Sequence, residues 1–512
     1  MSVHAPHPTI NRVIDSQQRT RRARSAPRTR RKRKQAYNEL LASLIVGVLA
    51  FATRFIGLGQ ATSSNTPVFD EKHYVPQAWD MVVTATDPIT GGIESNPGFG
   101  LVVHPPLAKQ LIAIGEFIFG YTPLGWRVMT ALFGTLTVLL IMGLAKRLTH
   151  SSTIGLLAGI IATCDGVLLV SSRFGMLDIF QVFFIVAATY CLVRDHQQMK
   201  HHIEAWQPHT PTEKFKFGWR WWRFAMGISL GCALSVKWSG LYYMAFFGVL
   251  CVALDWMLRR QHQRKGLANT LTFDAFPAFA SIVLLPIALY IWSWRAWFAS
   301  ETGVYRHAAS DGTIPEDSPL MLLPEALAGW IHYHQSVLTF HASLTTSSGN
   351  NHPWESKPWS WLVASRPVLY LSATDTPCGD TECRTAIYLF GTPAIWWLTV
   401  PLLCWATWRF FIHRERLMSI PIIAFLAGFV PWVLAYDRQM YFFYAVALAP
   451  FTIVLLAWAL GLAARSGPKG KWAAAAYAAL IVGQFIYFSP ILYGFQIPNA
   501  WYDQLMWLPS WR

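Results

Sequence analysis

Apolar residues run through this chain in stretches long enough to cross a bilayer, joined by mostly short polar connections and two long ones. A hydrocarbon core of about 30 Å takes roughly 20 apolar residues per helix. The pattern predicts eleven spans, near residues 40–58, 124–145, 153–171, 175–193, 222–236, 239–258, 275–298, 388–411, 417–435, 441–464 and 472–494. The fifth is short. The first is too long for a signal-peptide core and has no small-residue cleavage site, so it reads as a retained anchor.

The connections alternate in charge. Lys146 and Arg147, the stretch from Arg194 to Arg220, then Arg259, Arg260, Arg264 and Lys265, then Arg414 and Arg416, then Arg465, Lys469 and Lys471 all fall on one side. Cytoplasmic connections carry the excess of Lys and Arg, which puts the N-terminus in the cytoplasm. An odd number of spans leaves the tail 496–512 outside. The external side also receives the two long loops: 59–123, inside a transmembrane region 38–298, and 299–387, between that region and a C-terminal four-helix region 388–512. Long loops that are not tails are usually functional. No internal repeat or matching pair of broken spans of the transporter kind is visible.

Composition agrees with this all-α integral membrane reading. The 512 residues are 53% hydrophobic and 13% charged, about half the charged fraction of a soluble domain. The 25 tryptophans suit the two headgroup regions. The net charge of +15 sits largely in the arm 1–37. There Arg12, Arg19, Arg21, Arg22, Arg24, Arg28, Arg30, Arg31, Lys32, Arg33 and Lys34 precede the first span without a hydrophobic period. Such an arm is expected to be disordered and to bind anionic lipid at the cytoplasmic surface. It lacks the aromatic platform of a nucleic-acid binder, so no nucleic-acid partner is expected.

The first external loop carries the candidate chemistry. Asp70 and Glu71 stand side by side just beyond the first span. Neighbouring carboxylates cannot face one way on a helix or strand, so one can serve a reacting group while a cation holds the other; an ordinary solvated acidic pair would look the same. Farther on, His104-Pro-Pro opens a helix whose apolar stripe is Leu107, Leu111, Ile114 and Ile118, with Lys109, Gln110 and Glu116 off the stripe. Its length predicts an interfacial helix rather than a span. His104 reads equally as a capping or packing residue.

Ionisable residues also gather at the external ends of the spans: Arg54, Arg127, Arg173, Asp178 and Lys237. Each alone can snorkel harmlessly. Together, four cations under two carboxylates predict an anion site at headgroup depth, with Arg173 and Asp178 as an alternative structural pair. In the second loop, His332, His334, His341 and His352 have no carboxylate or cysteine to complete a zinc spacing. Cys378 and Cys383, on the oxidising side, predict a disulfide. The other five cysteines lie in apolar runs, where packing is the default.

Four motifs occur in order: Phe69-Asp-Glu-Lys-His-Tyr, Val103-His-Pro-Pro-Leu-Ala-Lys, Arg173-Phe-Gly-Met-Leu-Asp and Ser235-Val-Lys-Trp-Ser-Gly-Leu. Jointly they resemble the protein O-mannosyltransferase family, and residues 40–512 resemble its actinobacterial members. The resemblance implies a GT-C glycosyltransferase with an active site on the external face of the plasma membrane. It would move mannose from a polyprenyl monophosphate to Ser or Thr of exported polypeptides, with no metal and no resident cofactor. It implies Asp70 as general base, with Glu71 supporting it. Arg127 and Lys237, and less directly Arg54 and Arg173, map onto the donor phosphate site, with His73, His104, Lys109 and Asp178 in support. Eukaryotic members carry a β-trefoil domain in the second loop, and 299–387 is too short for one. A nascent chain from the secretion machinery is therefore the expected acceptor form. Composition and spacing leave open a GT-C enzyme acting on a lipid or glycan. A transporter would instead place its ionisable residues near the bilayer midplane.

Overall fold

The computed structural model describes residues 37–87, 89–94, 103–207, 210, 213, 215–262, 266–379 and 381–512. The rest of the basic arm lies outside the described residues. Among those described, nine helices are long and apolar enough to cross a membrane. In chain order the helices that matter here are α1 (Tyr37–Phe55), α2 (Glu71–Val83), α3 (Leu107–Phe119), α4 (Pro123–Thr149), α5 (Ser152–Thr163), α6 (Gly166–Ser171), α7 (Asp178–Ala205), α8 (Trp221–Val236), α9 (Gly240–His262) and α10 (Gly266–Ser293). They are followed by α11 (Glu325–Ser343), α12 (Pro393–Ile412), α13 (Ser419–Leu434), α14 (Ala449–Arg465), α15 (Pro468–Tyr493) and α16 (Asn499–Leu505).

The span expected over 153–171 is divided. Asp165 accepts from the Leu168 amide at 2.9 Å and starts α6 as its N-cap. The Thr392 hydroxyl donates to the Cys164 carbonyl at 3.0 Å and accepts from the Gly166 amide at 3.1 Å. Backbone groups released by the break are thus satisfied inside the protein, the condition for non-helical backbone at membrane depth. The fifth expected span is the 16-residue α8. α4 starts cleanly: Pro123 takes the first turn and the Thr122 hydroxyl accepts from the Gly125 amide. The span running Phe442–Arg465 is 72% buried over its apolar window against 17% for α1, so it is central and α1 peripheral.

The all-α membrane architecture carries one small β addition. The second long loop contains α11 and an antiparallel hairpin, β1 (Val368–Cys378) with β2 (Thr381–Leu389). β2 also pairs with β3 (Ile497–Pro498), which draws the C-terminal tail onto the hairpin. Hence the helix expected from residue 388 begins at Pro393. Cys378 and Cys383 are joined as a disulfide at the hairpin's far end, with Cα atoms 5.8 Å apart. Cys164, Cys191, Cys232, Cys251 and Cys404 are free thiols.

α3 is 13 residues long, too short to span. It buries Lys109, Ile112 and Glu116 against the protein and turns Ile114, Phe117 and Ile118 outward. Lys109 is completely buried and pairs with Glu94. The polar side faces inward and the apolar side outward, as in a helix half sunk in lipid.

The starts of α4, α7 and α9 and the ends of α8 and α13 meet at one end of the bundle, beneath α2, α11 and the hairpin. Phe69 stacks on Tyr370 of β1, with ring centroids 4.3 Å apart, which ties the two long loops together over this end.

Candidate active site at the loop-covered end

The local backbone separates the two carboxylates. Phe69 has φ +52°, a left-handed conformation that costs a non-glycine residue about 1–3 kcal/mol. Its stacking on Tyr370 holds it there. The turn places Asp70 at the head of α2 and drives Glu71 inward.

Glu71 is fully buried. Its Oε1 accepts from Arg127 Nε and from the Gly175 amide, both at 2.7 Å. Its Oε2 accepts from Arg127 Nη2 at 2.7 Å and from the Val68 amide at 3.1 Å. Arg127 donates its remaining amine to the Leu58 carbonyl at 3.2 Å and lies over the Phe174 ring. One bidentate pair therefore binds the end of the first span, the head of α2, the start of α4 and the turn before α7.

Asp70 points the other way. It is partly accessible, and among the described residues no hydrogen bond or ion pair holds its carboxylate. Burial pushes its pKa above the ordinary carboxylate value, the charges of His73 and Lys237 pull it back, and Asp178 adds repulsion. Lys237, in extended backbone at the end of α8, donates to Asp178 Oδ1 at 2.7 Å. Asp178 Oδ2 is buried without a partner. Together with Gln181, Tyr242, Phe443 and Tyr444 these two residues line a cleft.

The other expected phosphate ligands are placed differently. Arg127 is fully buried on Glu71, with no face open to a ligand. Arg54 is also fully buried and donates to the carbonyls of Ala50 and Ala162. Arg173 donates to the carbonyls of Thr53, Arg54, Ile56 and Gly57, closing the open end of α1. That position neutralises the negative end of a helix. The alternative Arg173–Asp178 pair is replaced by Lys237–Asp178.

A cation outside the sequence motifs stands beside Tyr444, which lines the same cleft. Arg438, in the short turn after α13, donates Nη2 to His341 Nδ1 at 3.0 Å and contacts the Tyr444 hydroxyl at 3.5 Å. Its Nε is buried and unpartnered. No carboxylate pairs with it among the described residues. The signal was an arginine next to Asp437 in a short connection whose side of the chain is poor in Lys and Arg.

Histidines line the same region. His104 lies 5.9 Å from Tyr74 and 6.1 Å from His341, ring to ring. Burial holds His104 well below its ordinary pKa, and Lys237 adds to this. His341 is lowered to about 4, first by burial and then by Arg438. Both rings are neutral at pH 7, and His341 can therefore accept from Arg438. His334 is engaged elsewhere, between the Trp330 carbonyl and the Tyr290 hydroxyl. His73 is exposed on α2 beside Asp70. Lys109 is spent on Glu94, so its part is to anchor α3.

Two family models match this chain: "Dolichyl-phosphate-mannose-protein mannosyltransferase" over residues 122–298 and "C-terminal four TMM region of protein-O-mannosyltransferase" over 326–511. The polyprenol-phosphate-mannose–protein mannosyltransferase of Corynebacterium glutamicum is 61% identical over 482 residues, 91% of this chain and 92% of that one.

The chain belongs to the protein O-mannosyltransferase family.

The Mycobacterium tuberculosis protein of the same name is 41% identical, with 91% of each chain covered. Among solved structures, the S. cerevisiae protein O-mannosyltransferase complex bound to the sugar donor superposes with a TM-score of 0.69 at 16% identity, covering 93% of both chains. An archaeal oligosaccharyltransferase from Archaeoglobus fulgidus superposes at 0.51 and 15% identity over 92% of this chain and 58% of its own. These likenesses establish a GT-C fold in a multi-pass membrane protein. Within this mannosyltransferase, the first family match contains Arg127, Arg173, Asp178 and Lys237, and the second contains His341 and Arg438. Asp70 and Glu71 precede both matches, and the tertiary contacts bring them to the other residues.

Removing one partner of a buried pair leaves an uncompensated charge. Glu71→Ala is therefore expected to destabilise the protein by about 3–5 kcal/mol, read as a lowered thermal midpoint in detergent. An unchanged midpoint would show that the pair does not brace the loop.

Proposed function

We propose that this protein transfers mannose from polyprenyl phosphate mannose to Ser or Thr hydroxyls of exported polypeptides, on the external face of the cell membrane. The carrying observation is the opposed fate of two adjacent carboxylates: Glu71 is saturated by Arg127 and two amides, while Asp70 is left open beside Lys237 and Asp178. The names of the actinobacterial relatives supply the donor and the protein acceptor. Support for the external face comes from the opposite end of the bundle, where Arg147, Lys200, Arg414, Arg416 and Arg465 collect in agreement with the positive-inside rule.

In this reading Asp70 takes the proton of the acceptor hydroxyl as its oxygen attacks the anomeric carbon. The bond from that carbon to the phosphate oxygen breaks, the phosphate leaves with the electron pair, and single displacement inverts the centre. A carboxylate with a raised pKa is a better base near neutral pH. The departing phosphate needs no proton, so one carboxylate suffices where a glycosidase uses two. Lys237 and Arg438 are the cations placed to stabilise the growing phosphate charge, which preorganised donors do most effectively. Arg127 is a positioning residue, acting through Glu71. No resident cofactor enters this scheme, and delivery of acceptors by the secretion machinery is part of the same proposal.

Asp70→Asn is expected to abolish most transfer of labelled mannose from a prenyl phosphate donor to a Ser/Thr peptide, with donor binding kept; full turnover by that variant would refute the assignment of the base. Because Asp70 must be ionised to act, activity should rise with pH through its pKa. The acidic limb of kcat/KM should lie above the ordinary aspartate value of about 4; a limb at or below that value contradicts the placement. Lys237→Ala and Arg438→Ala should each raise the apparent KM for donor, a reading valid where donor dissociation outruns chemistry. Unchanged donor dependence in both would remove them from the phosphate site.

A further inference from the structure

α4, α7 and α9 carry the chain from the active site to the far end of the bundle. Arg147 follows Arg127 on the same helix by twenty residues, about 30 Å at 1.5 Å per residue. There a cavity of about 570 Å³ is lined by Arg147, His196, Lys200, Leu258, Arg414 and Arg416, among others. A second cavity, of about 600 Å³, shares Arg414 and Arg416 with the first and is walled by Trp256, Phe410 and Phe411.

The turn between α12 and α13 sets the charge of this place. Arg409, in the last turn of α12, pairs with Glu415 of the turn. Arg414, held at φ +55°, and Arg416 flank that pair and have no carboxylate of their own among the described residues. Lys200 has Glu204 at 3.8 Å, a loose and exposed pair. Among the described residues, four cations and one acid thus line this cavity. On the wall, His196 Nδ1 is buried without a partner. The second cavity has the opposite character: Phe411 is 69% exposed, next to Ile412 at 66%. A soluble phosphate would need only the cationic cavity. A cationic cavity continuous with an aromatic one, at the edge of an apolar bundle, matches a molecule with a phosphate head and a hydrocarbon tail.

We propose that this double cleft holds an anionic phospholipid, with its phosphate on Arg147, Lys200, Arg414 and Arg416 and an acyl chain against Trp256, Phe410 and Phe411. Basic pockets between spans are where acidic headgroups bind. The site lies at the other end of the helices from Asp70 and does not depend on the reading given to that residue.

The test is native mass spectrometry of the full-length protein in detergent, with phosphatidylglycerol or phosphatidylcholine added. Phosphatidylglycerol adducts should exceed phosphatidylcholine adducts, fall at least about tenfold in the double variant Arg414→Gln/Arg416→Gln, and survive millimolar inorganic phosphate. The variant Arg414→Lys/Arg416→Lys should keep most of them, and Phe410→Ala/Phe411→Ala should lose them. Equal retention of both lipids, or displacement by inorganic phosphate, overturns the proposal. So does a lysine variant that loses as many adducts as the glutamine variant, or full retention by the glutamine or alanine variants.

Discussion

The loop-covered end of the bundle is organised by the buried pair of Glu71 and Arg127. Two parallel hydrogen bonds of 2.7 Å fix the carboxylate plane, and the amides of Gly175 and Val68 fill its remaining acceptor positions. A buried ion pair is weak evidence for net stability, since desolvation offsets much of its attraction. Its value here is geometric. Four segments distant in sequence are referred to one point, and the backbone turn at Phe69 that satisfies Glu71 leaves Asp70 facing the other way. Mannose transfer, on the proposed scheme, needs a base whose own environment does not neutralise it. The adjacent residue supplies the structural anchoring so that Asp70 does not have to.

The same division governs the cations. Arg54 and Arg173 bond to backbone carbonyls around the ends of α1 and α5, where helix ends and a broken span expose acceptors that have no water to turn to. Lys237 is held by Asp178 at the edge of a cleft. Arg438 bonds to a neutral imidazole and a phenol rather than to a carboxylate. The histidines around it are held neutral by burial and by these cations. The result is a site with positive charge contributed from two widely separated parts of the chain and one accessible carboxylate.

At the other end of the bundle the physical problem is different. Charges there meet an aqueous face and a headgroup layer, and they divide into satisfied internal clusters and an open rim. Arg220 and Arg223 share Asp195 and Asp255, while Arg259 pairs with Asp274 and lies over Phe217. Those pairs fold the connection between α7 and α8 back onto the bundle. Arg414 and Arg416 remain outside such clusters, which gives the rim its net charge.

Much of this was legible in the sequence, because the bilayer is a simple solvent. Span length and apolar character follow from its thickness, and the ordered motifs around Asp70, His104, Arg173 and Lys237 carried the family resemblance that the relatives then established. Adjacency alone showed that Asp70 and Glu71 must diverge. What the sequence could not settle was which partner each charged group would take, since that depends on contacts such as Glu71 with Arg127, 56 positions apart. A one-dimensional count of outer-end cations treats Arg54, Arg127, Arg173 and Lys237 alike. Only the folded chain distinguishes a guanidinium spent on helix carbonyls from one open to a ligand. It alone carries Arg438 to His341 across 97 residues, and it turns a Thr-rich stretch near the disulfide into a hairpin that the tail completes. Solvent-scale patterning was therefore fixed by composition along the chain, whereas electrostatic partnership was decided by three-dimensional proximity, because the strength of an ion pair depends on distance and burial and not on separation in sequence.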